Sequence, residues 1–209
     1  AFQEDLQRIS TKQNTPGEAI PETLTSQCVR FYFECDYKTY TDKGSSVPNT
    51  TNYATGLFNL TSTLYLNDSI VTGLAQINVW TATDPYAAGA TTSAMLTAFS
   101  TQMSNTVYSG DIAHLLSTRA AGGGIAWLDV LCASNYYKCG VSASLSTTIT
   151  PLPTFSWNAE VITHEIGHNL GSPHTHACAW NGNNTRIDNC AGNYNVQYQE
   201  GNCNSFPPN

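Results

Sequence analysis

The sequence predicts an α+β domain in which helices pack on a twisted mixed sheet. Strand-like stretches, with apolar residues at every second position, alternate along the chain with stretches that show helical spacing. Interleaved patterns of this kind favour one sheet with helices packed on it. The 209 residues are also enough for one sizeable domain, which needs neither a metal nor disulfides to fold.

The first 26 residues differ in composition from the rest of the chain. They are polar and contain Pro16, Gly17 and Pro21, which are typical of a linker. We therefore expect residues 1–26 to be a leader, a linker or the remnant of a pro-segment, and residues 27–209 to form the domain.

Predicted strands and helices follow in order from Cys28. The stretch CVRFYFECDY (28–37) alternates and is rich in aromatic residues, so it predicts a strand. Residues 52–68 place leucines at helical spacing and predict a helix. The remaining predictions before residue 150 are a strand over 73–83, a helix over 91–103, and strands over 111–117 and 125–132.

Composition excludes some partners and indicates a compartment. Only 11% of residues are charged, the formal net charge is −7, and no Lys/Arg cluster is present, so nucleic acid is not expected as a partner. No apolar run is long enough to cross a membrane, and we expect no membrane partner. We expect a secreted, extracellular protein, because so few charges together with seven cysteines favour disulfides in an oxidising compartment. Buried free thiols are the alternative. We also expect the protein to be a monomer.

Four of the five histidines fall within HEIGHNLGSPHTH (164–176). The stretch continues a helical pattern over 157–170, with Ser156 or Asn158 placed to cap its start and Gly171 to end it. On such a helix His164 and His168 lie one turn apart on the same face and can reach one metal ion. Imidazole ligands favour Zn²⁺. Glu165 is then placed to act as general base toward a zinc-activated water that attacks a peptide carbonyl.

The residues after that helix extend the motif. Gly171 turns the chain, and His174 follows three residues later as a third zinc ligand. The spacing His-Glu-x-x-His-x-x-Gly-x-x-His is the metzincin signature. His176 lies two residues beyond the last ligand position and is interpreted as a loop or outer histidine, and His114 as a structural residue.

The sequence resembles the adamalysin/reprolysin branch of the metzincins, in particular its bacterial secreted, ADAM-like members. The stretches DIAHLLS, GGGIAWLDVLC and VITHEIGHNLGSPH carry this resemblance. It implies a secreted zinc endopeptidase acting on protein or peptide substrates, with an active-site helix that carries HExxH. The peptide would lie antiparallel to an edge strand that includes Gly124, Ile125, Ala126 and Trp127, held by strand addition. In some relatives the position of Asp111 helps to bind structural calcium, so Ca²⁺ is also implied there.

The chain departs from the family after the third histidine. A metzincin carries a methionine in a tight turn beneath the metal, whereas Met95 and Met103 both precede His164. Two interpretations stay open. The chain is either a fragment that lacks the Met-turn and the C-terminal helix, which the odd cysteine count favours, or a divergent member. In the family the edge-strand cysteine, here Cys132, commonly pairs near the C-terminus, and pairing with Cys139 is the rival.

Two other functions compete with a protease. A non-catalytic module that keeps zinc would explain the histidines, although Glu165 would then have little to do. A peptide deformylase also carries HExxH, and QEGNCNS (199–205) faintly echoes its cysteine motif. That stretch lies on the wrong side of HExxH and leaves His174 unexplained, so this interpretation is set aside.

Overall fold

The computed structural model describes residues 28–86, 91–188, 200, 201 and 203. The chain forms two compact units that divide between Leu170 and Gly171, and each is described by itself. The predicted leader at residues 1–26 lies outside the described residues.

The first unit contains a mixed sheet with helices. Its described elements, in chain order, are β1 (Val29–Cys35), α1 (Tyr37–Asp42), α2 (Val47–Asn67), β2 (Thr72–Val79), α3 (Thr92–Ser104), β3 (Ile112–Leu116), β4 (Gly124–Ala126), β5 (Cys139–Ser142) and α4 (Trp157–Asn169). The strands form one five-stranded sheet in the order β2-β1-β3-β5-β4. All neighbours are parallel except β4, which pairs antiparallel with β5 at the sheet edge. The predicted α+β class with a mixed sheet is confirmed.

Hydroxyl side chains cap the three long helices at their N-termini. Ser46, Thr91 and Ser156 each accept a hydrogen bond from the backbone N–H three residues further on. Such a bond satisfies one of the N–H groups that a helix start leaves without a partner. The cap at Ser46, with proline in the first turn, begins α2 five residues earlier than the leucine spacing predicts.

The hydrophobic core lies on both faces of the sheet. Successive β1 residues point to opposite faces, so Phe31, Phe33 and Cys35 join one cluster while Tyr32 joins the other. The first cluster includes Ile162 and Ile166 of α4, both fully buried. The active-site helix predicted from the motif is therefore fixed to the sheet by its apolar side.

One predicted strand is much shorter than expected, and one strand was not predicted. The strand expected over 125–132 ends at Ala126, because Asp129 has a φ of +57° and the backbone N–H groups of Asp129 and Val130 donate to the carbonyls of His168 and Asn169. These groups bond to the end of α4 instead of to a neighbouring strand. Strand β5 was not predicted, since its four residues, CGVS, are too few to show alternation.

Most described cysteines are free, contrary to the prediction. Cys28, Cys35, Cys132 and Cys139 are unbonded, and Cys178–Cys203 is the disulfide found among the described residues. Cys35 and Cys139 are buried on strands of the sheet, where they pack as small apolar side chains. Cys132 does not pair with Cys139, so the rival pairing considered for this cysteine is not formed. Cys190 lies outside the described residues.

The second unit spans Gly171–Asn209. Its described residues form turns, with isolated bridges between Ala177 and Glu200 and between Trp180 and Thr185. Within the described part of the whole chain, no helix combines the length and the apolar character needed to cross a membrane.

Candidate active site

Helix α4 brings two of the predicted zinc ligands together. The Nε2 atoms of His164 and His168 are 3.0 Å apart, and the two rings are nearly perpendicular, at 84°. Two nitrogens bound to one tetrahedral zinc ion at about 2.05 Å lie roughly 3.3 Å from each other. The pair therefore fits two ligands of a single zinc ion, as the spacing of the motif predicts.

Hydrogen bonds fix the C-terminal end of α4 to the edge of the sheet. The Asn169 side-chain amide donates to the backbone carbonyls of Trp127, at 2.8 Å, and Cys139, at 3.0 Å. The backbone N–H of Asp129 donates to the His168 carbonyl at 2.9 Å. These bonds hold the last turn of the helix, which carries His168, in a fixed position against β4 and β5.

Glu165 is the buried carboxylate of the site. Its residue exposure is 5%, and burial raises the pKa of its side chain to about 7. Among the described residues, no hydrogen-bond donor reaches this carboxylate, so desolvation acts without opposition. A general base works best when its pKa lies near the pH at which it acts, so a pKa of about 7 is compatible with the role predicted for Glu165 at neutral pH.

Gly124 makes room for Glu165. A Cβ atom on Gly124 would lie 2.4 Å from Glu165 Cγ and 2.7 Å from Oε1, well inside van der Waals contact. Only glycine therefore allows the carboxylate to lie directly against the backbone of β4. At Gly124 the structure shows close approach to a side chain of the chain itself.

Strand β4 is the edge strand predicted for the substrate. Gly124, Ile125 and Ala126 pair with Ser142, Val141 and Gly140 of β5 on one side. The other side of β4 has no neighbouring strand among the described residues.

Trp127 follows β4 and forms hydrogen bonds to other residues of the chain. Its indole N–H donates to Ser100 Oγ at 3.0 Å, and its carbonyl accepts from Asn169. Contact of residues 124–127 with a substrate stays a prediction.

His174 belongs to the second unit. Its Nδ1 atom lies 2.8 Å from Glu200 Oε1, and its ring stacks on that of His176 at 5.0 Å. The turn predicted at Gly171 is present, since this residue has a φ of +100°, a conformation that glycine adopts without strain. The assignment of His174 as third zinc ligand rests on the motif and stays a prediction.

The structure gives no support to calcium at Asp111. Its carboxylate accepts hydrogen bonds from the backbone N–H of Arg30, at 2.8 Å, and from Arg30 Nε and Nη2. The Arg30 hydrogen bonds hold the pKa of Asp111 below its usual range. A guanidinium thus supplies the positive charge that the expected cation would have supplied.

Sequence reasoning missed two residues near the histidines. Asn169 is fully buried and lies three residues after Ile166, so a polar residue at an apolar helical position was a signal that could have identified it. Glu200 lies 26 positions from His174 and carries no signal in the sequence, because only the folding of the second unit brings the two together.

A mixed sheet, a helix with paired histidines and a buried carboxylate beside them define a metalloprotease. The chain belongs to metallo-peptidase family M12, whose model (Reprolysin_5) matches residues 25–205. It is a reprolysin-like metalloprotease, and peptidases of this family depend on zinc.

Comparison with individual proteins adds no argument about function. No curated protein matches the chain. A solved structure titled "Structure of a chaperone-substrate complex" aligns with a TM-score of 0.48 and 15% identity, covering 75% of this chain. The alignment spans 25% of that protein.

Proposed function

We propose that this chain is a secreted zinc endopeptidase that hydrolyses peptide bonds with Glu165 as general base. The observation that carries the proposal is the position of Glu165: a buried carboxylate with a pKa of about 7, next to two histidines whose Nε2 atoms are 3.0 Å apart. A purely structural zinc site has no use for such a carboxylate. Burying a carboxylate without hydrogen-bond donors costs free energy. A role as general base explains why this chain keeps Glu165 buried.

His164, His168 and His174 would hold the zinc ion, which leaves one position open. Zinc, when bound, would polarise the scissile carbonyl and make a water molecule more acidic. The chain's own contribution is proton transfer. Glu165 would accept a proton from the attacking water and deliver it to the leaving amine. Gly124 allows the carboxylate to remain at the sheet edge while it does so.

The substrate would add as a strand along β4. Its backbone would bond to the outer side of Gly124–Ala126 in the antiparallel direction. Backbone bonding of this kind holds any extended peptide, so we expect unfolded chains to be cleaved more readily than folded ones. Secretion is proposed from the low content of charged residues and the Cys178–Cys203 bond, which is typical of oxidising compartments.

The experiment that tests the proposal is cleavage of an unfolded protein by this chain. Cleavage should stop when a chelator removes zinc and return when zinc is restored. The variant His168→Ala should lose both metal and activity. Lasting activity in a metal-free preparation would contradict the proposal.

A zinc-bearing binding module without turnover is the second candidate. It would bind one zinc ion per chain and retain unfolded peptides without cleaving them. Mass spectrometry of the peptide after incubation separates the two functions, since only the protease produces fragments.

A further inference from the structure

Three polar side chains of the second unit form a cluster outside the active-site helix. His174, His176 and Glu200 place one potential ligand atom each within 4.8 Å of the others. Glu200 Oε1 lies 2.8 Å from His174 Nδ1 and 3.4 Å from His176 Nε2. Glu200 is therefore the common partner of both rings, and its shorter contact is to His174.

The chemistry of this contact fixes the position of a proton. An ionised carboxylate only accepts hydrogen bonds, so Nδ1 of His174 must carry the hydrogen. A neutral imidazole has one protonated nitrogen, so with the hydrogen on Nδ1 the ring lone pair that can bind a metal lies on Nε2. The nitrogen that can bind a metal is thus selected by the carboxylate on the opposite side of the ring.

The scaffold that places Glu200 does not depend on its side chain. The backbone carbonyl of Glu200 accepts a hydrogen bond from the N–H of Cys178 at 2.8 Å. The Cys178–Cys203 disulfide closes the same short region. On the histidine side, Trp180 Nε1 donates to the His174 carbonyl at 2.8 Å. Replacing the carboxylate therefore removes the contacts to the two histidine rings and leaves this framework in place.

We infer that Glu200 is a positioning residue for zinc binding, holding His174 in the Nδ1–H tautomer so that Nε2 is available to the ion. The inference rests on the proposed role of His174 as third zinc ligand. Carboxylate–histidine–metal arrangements of this kind raise ligand basicity and fix ring orientation, and removal of the carboxylate typically costs about 10–100-fold in metal affinity.

The test compares zinc affinity in the full chain and its variants by competition with a chelator of known affinity. We expect Glu200→Ala to bind zinc about 10–100-fold more weakly than the wild type. Glu200→Gln keeps an acceptor oxygen and loses the charge, so its affinity should lie between the two. Glu160→Gln makes the same chemical change on an exposed side chain of α4 and serves as the matched control.

A second measurement determines the tautomer of His174 directly. Long-range ¹H–¹⁵N correlation spectra of the metal-free chain above pH 8 should show His174 protonated on Nδ1 in the wild type. In Glu200→Ala the ring should shift toward the Nε2–H form. A general loss of structure would change the spectra of all the histidines, whereas loss of the Glu200 contact should change the tautomer of His174, and the thermal unfolding midpoint of each variant checks for such loss.

The outcomes separate this inference from the proposed function. Zinc-dependent cleavage by the wild type together with unchanged zinc affinity in both Glu200 variants would overturn the inference and leave the protease function standing. Absence of zinc binding in the wild type would overturn both.

The same three side chains could instead form a separate metal site. In that case the wild type would bind two zinc ions, and Glu200→Ala would bind one with undiminished affinity. That result would also overturn the inference, whereas one zinc ion per wild-type chain with weaker binding in Glu200→Ala supports it.

Discussion

Among the described residues of the first unit, two glutamates are buried, and they differ in their hydrogen bonding. Glu34 on β1 is 1% exposed and accepts hydrogen bonds from the Tyr32 hydroxyl, the Tyr86 hydroxyl and the Trp80 indole. Glu165 on α4 is 5% exposed and, among the described residues, has no hydrogen-bond donor. Burial removes both carboxylates from water, but among the described residues only Glu34 has hydrogen-bond donors in place of water.

Hydrogen bonding distinguishes a carboxylate with a structural role from one that is able to exchange a proton. Burial raises the pKa of Tyr32 and Tyr86, so both hydroxyls keep their protons and remain donors to Glu34. A satisfied carboxylate of this kind stabilises its surroundings. Glu165 keeps its lone pairs free, and a free, desolvated carboxylate with a pKa of about 7 can take up a proton at neutral pH.

The largest effect is expected at Glu165. Glu165→Gln keeps the size of the side chain and removes its ability to accept a proton, so kcat/KM should fall by about 10²–10⁴-fold. Zinc content and the free energy of unfolding should not fall, since no hydrogen bond is lost. The comparison is broken if the variant hydrolyses peptides at the wild-type rate, as measured by initial rates on a fluorogenic peptide.

A smaller loss of activity is expected from Gly124→Ala. The new Cβ would meet Glu165 Cγ at 2.4 Å and displace the carboxylate, and a shift of about 1 Å can cost roughly 10²-fold in rate. Gly123→Ala is the matched control, because a Cβ there makes only ordinary contact with Trp157, at 3.6 Å. Equal rates for the two variants would show that the approach of Glu165 to β4 has no functional role.

Substitution of Glu34 should lower the free energy of unfolding and leave the activity unchanged. Glu34→Gln replaces a charged acceptor of three hydrogen bonds by a neutral amide, and we expect the free energy of unfolding to fall by about 2–3 kcal/mol. The kcat/KM of the folded variant should stay at the wild-type value. Urea unfolding followed by tryptophan fluorescence measures the first quantity, and an unchanged midpoint would contradict the structural role.

His114 should make the free energy of unfolding depend on pH, and this effect is smaller than the previous ones. Its ring is fully buried, Nε2 contacts Ser142 Oγ, and burial lowers its pKa to about 3. Below pH 6.5 the unfolded chain binds a proton at this residue and the folded chain does not, so stability falls as the pH falls from 6.5 toward 3. At pH 5 this amounts to about 2 kcal/mol relative to pH 7.5.

The measurement is urea unfolding of the metal-free chain at both pH values, with His114→Gln as control. The two proteins differ only at residue 114, so the difference in acid sensitivity isolates His114. An equal loss of stability in the two proteins would show that His114 does not resist protonation.

Residue patterns in the sequence were enough to predict the class of fold and the helix with its two histidines, and Glu165 as general base stays a prediction from the same motif. Periodicity and capping are local properties, so α4 and its cap at Ser156 could be predicted from neighbouring residues alone. The spacing of one helical turn then sufficed to place His164 beside His168.

The polar residues that support that helix could not be predicted, because their contacts form only when the chain packs. The bonds from Asn169 to Trp127 and Cys139, and the early end of β4, depend on where α4 packs against the sheet. Likewise, the contact of Gly124 with Glu165 joins residues 41 positions apart, and that of Glu200 with His174 joins residues 26 positions apart. Contacts between residues so distant in sequence arise from packing, and packing leaves no periodic pattern from which they could be predicted.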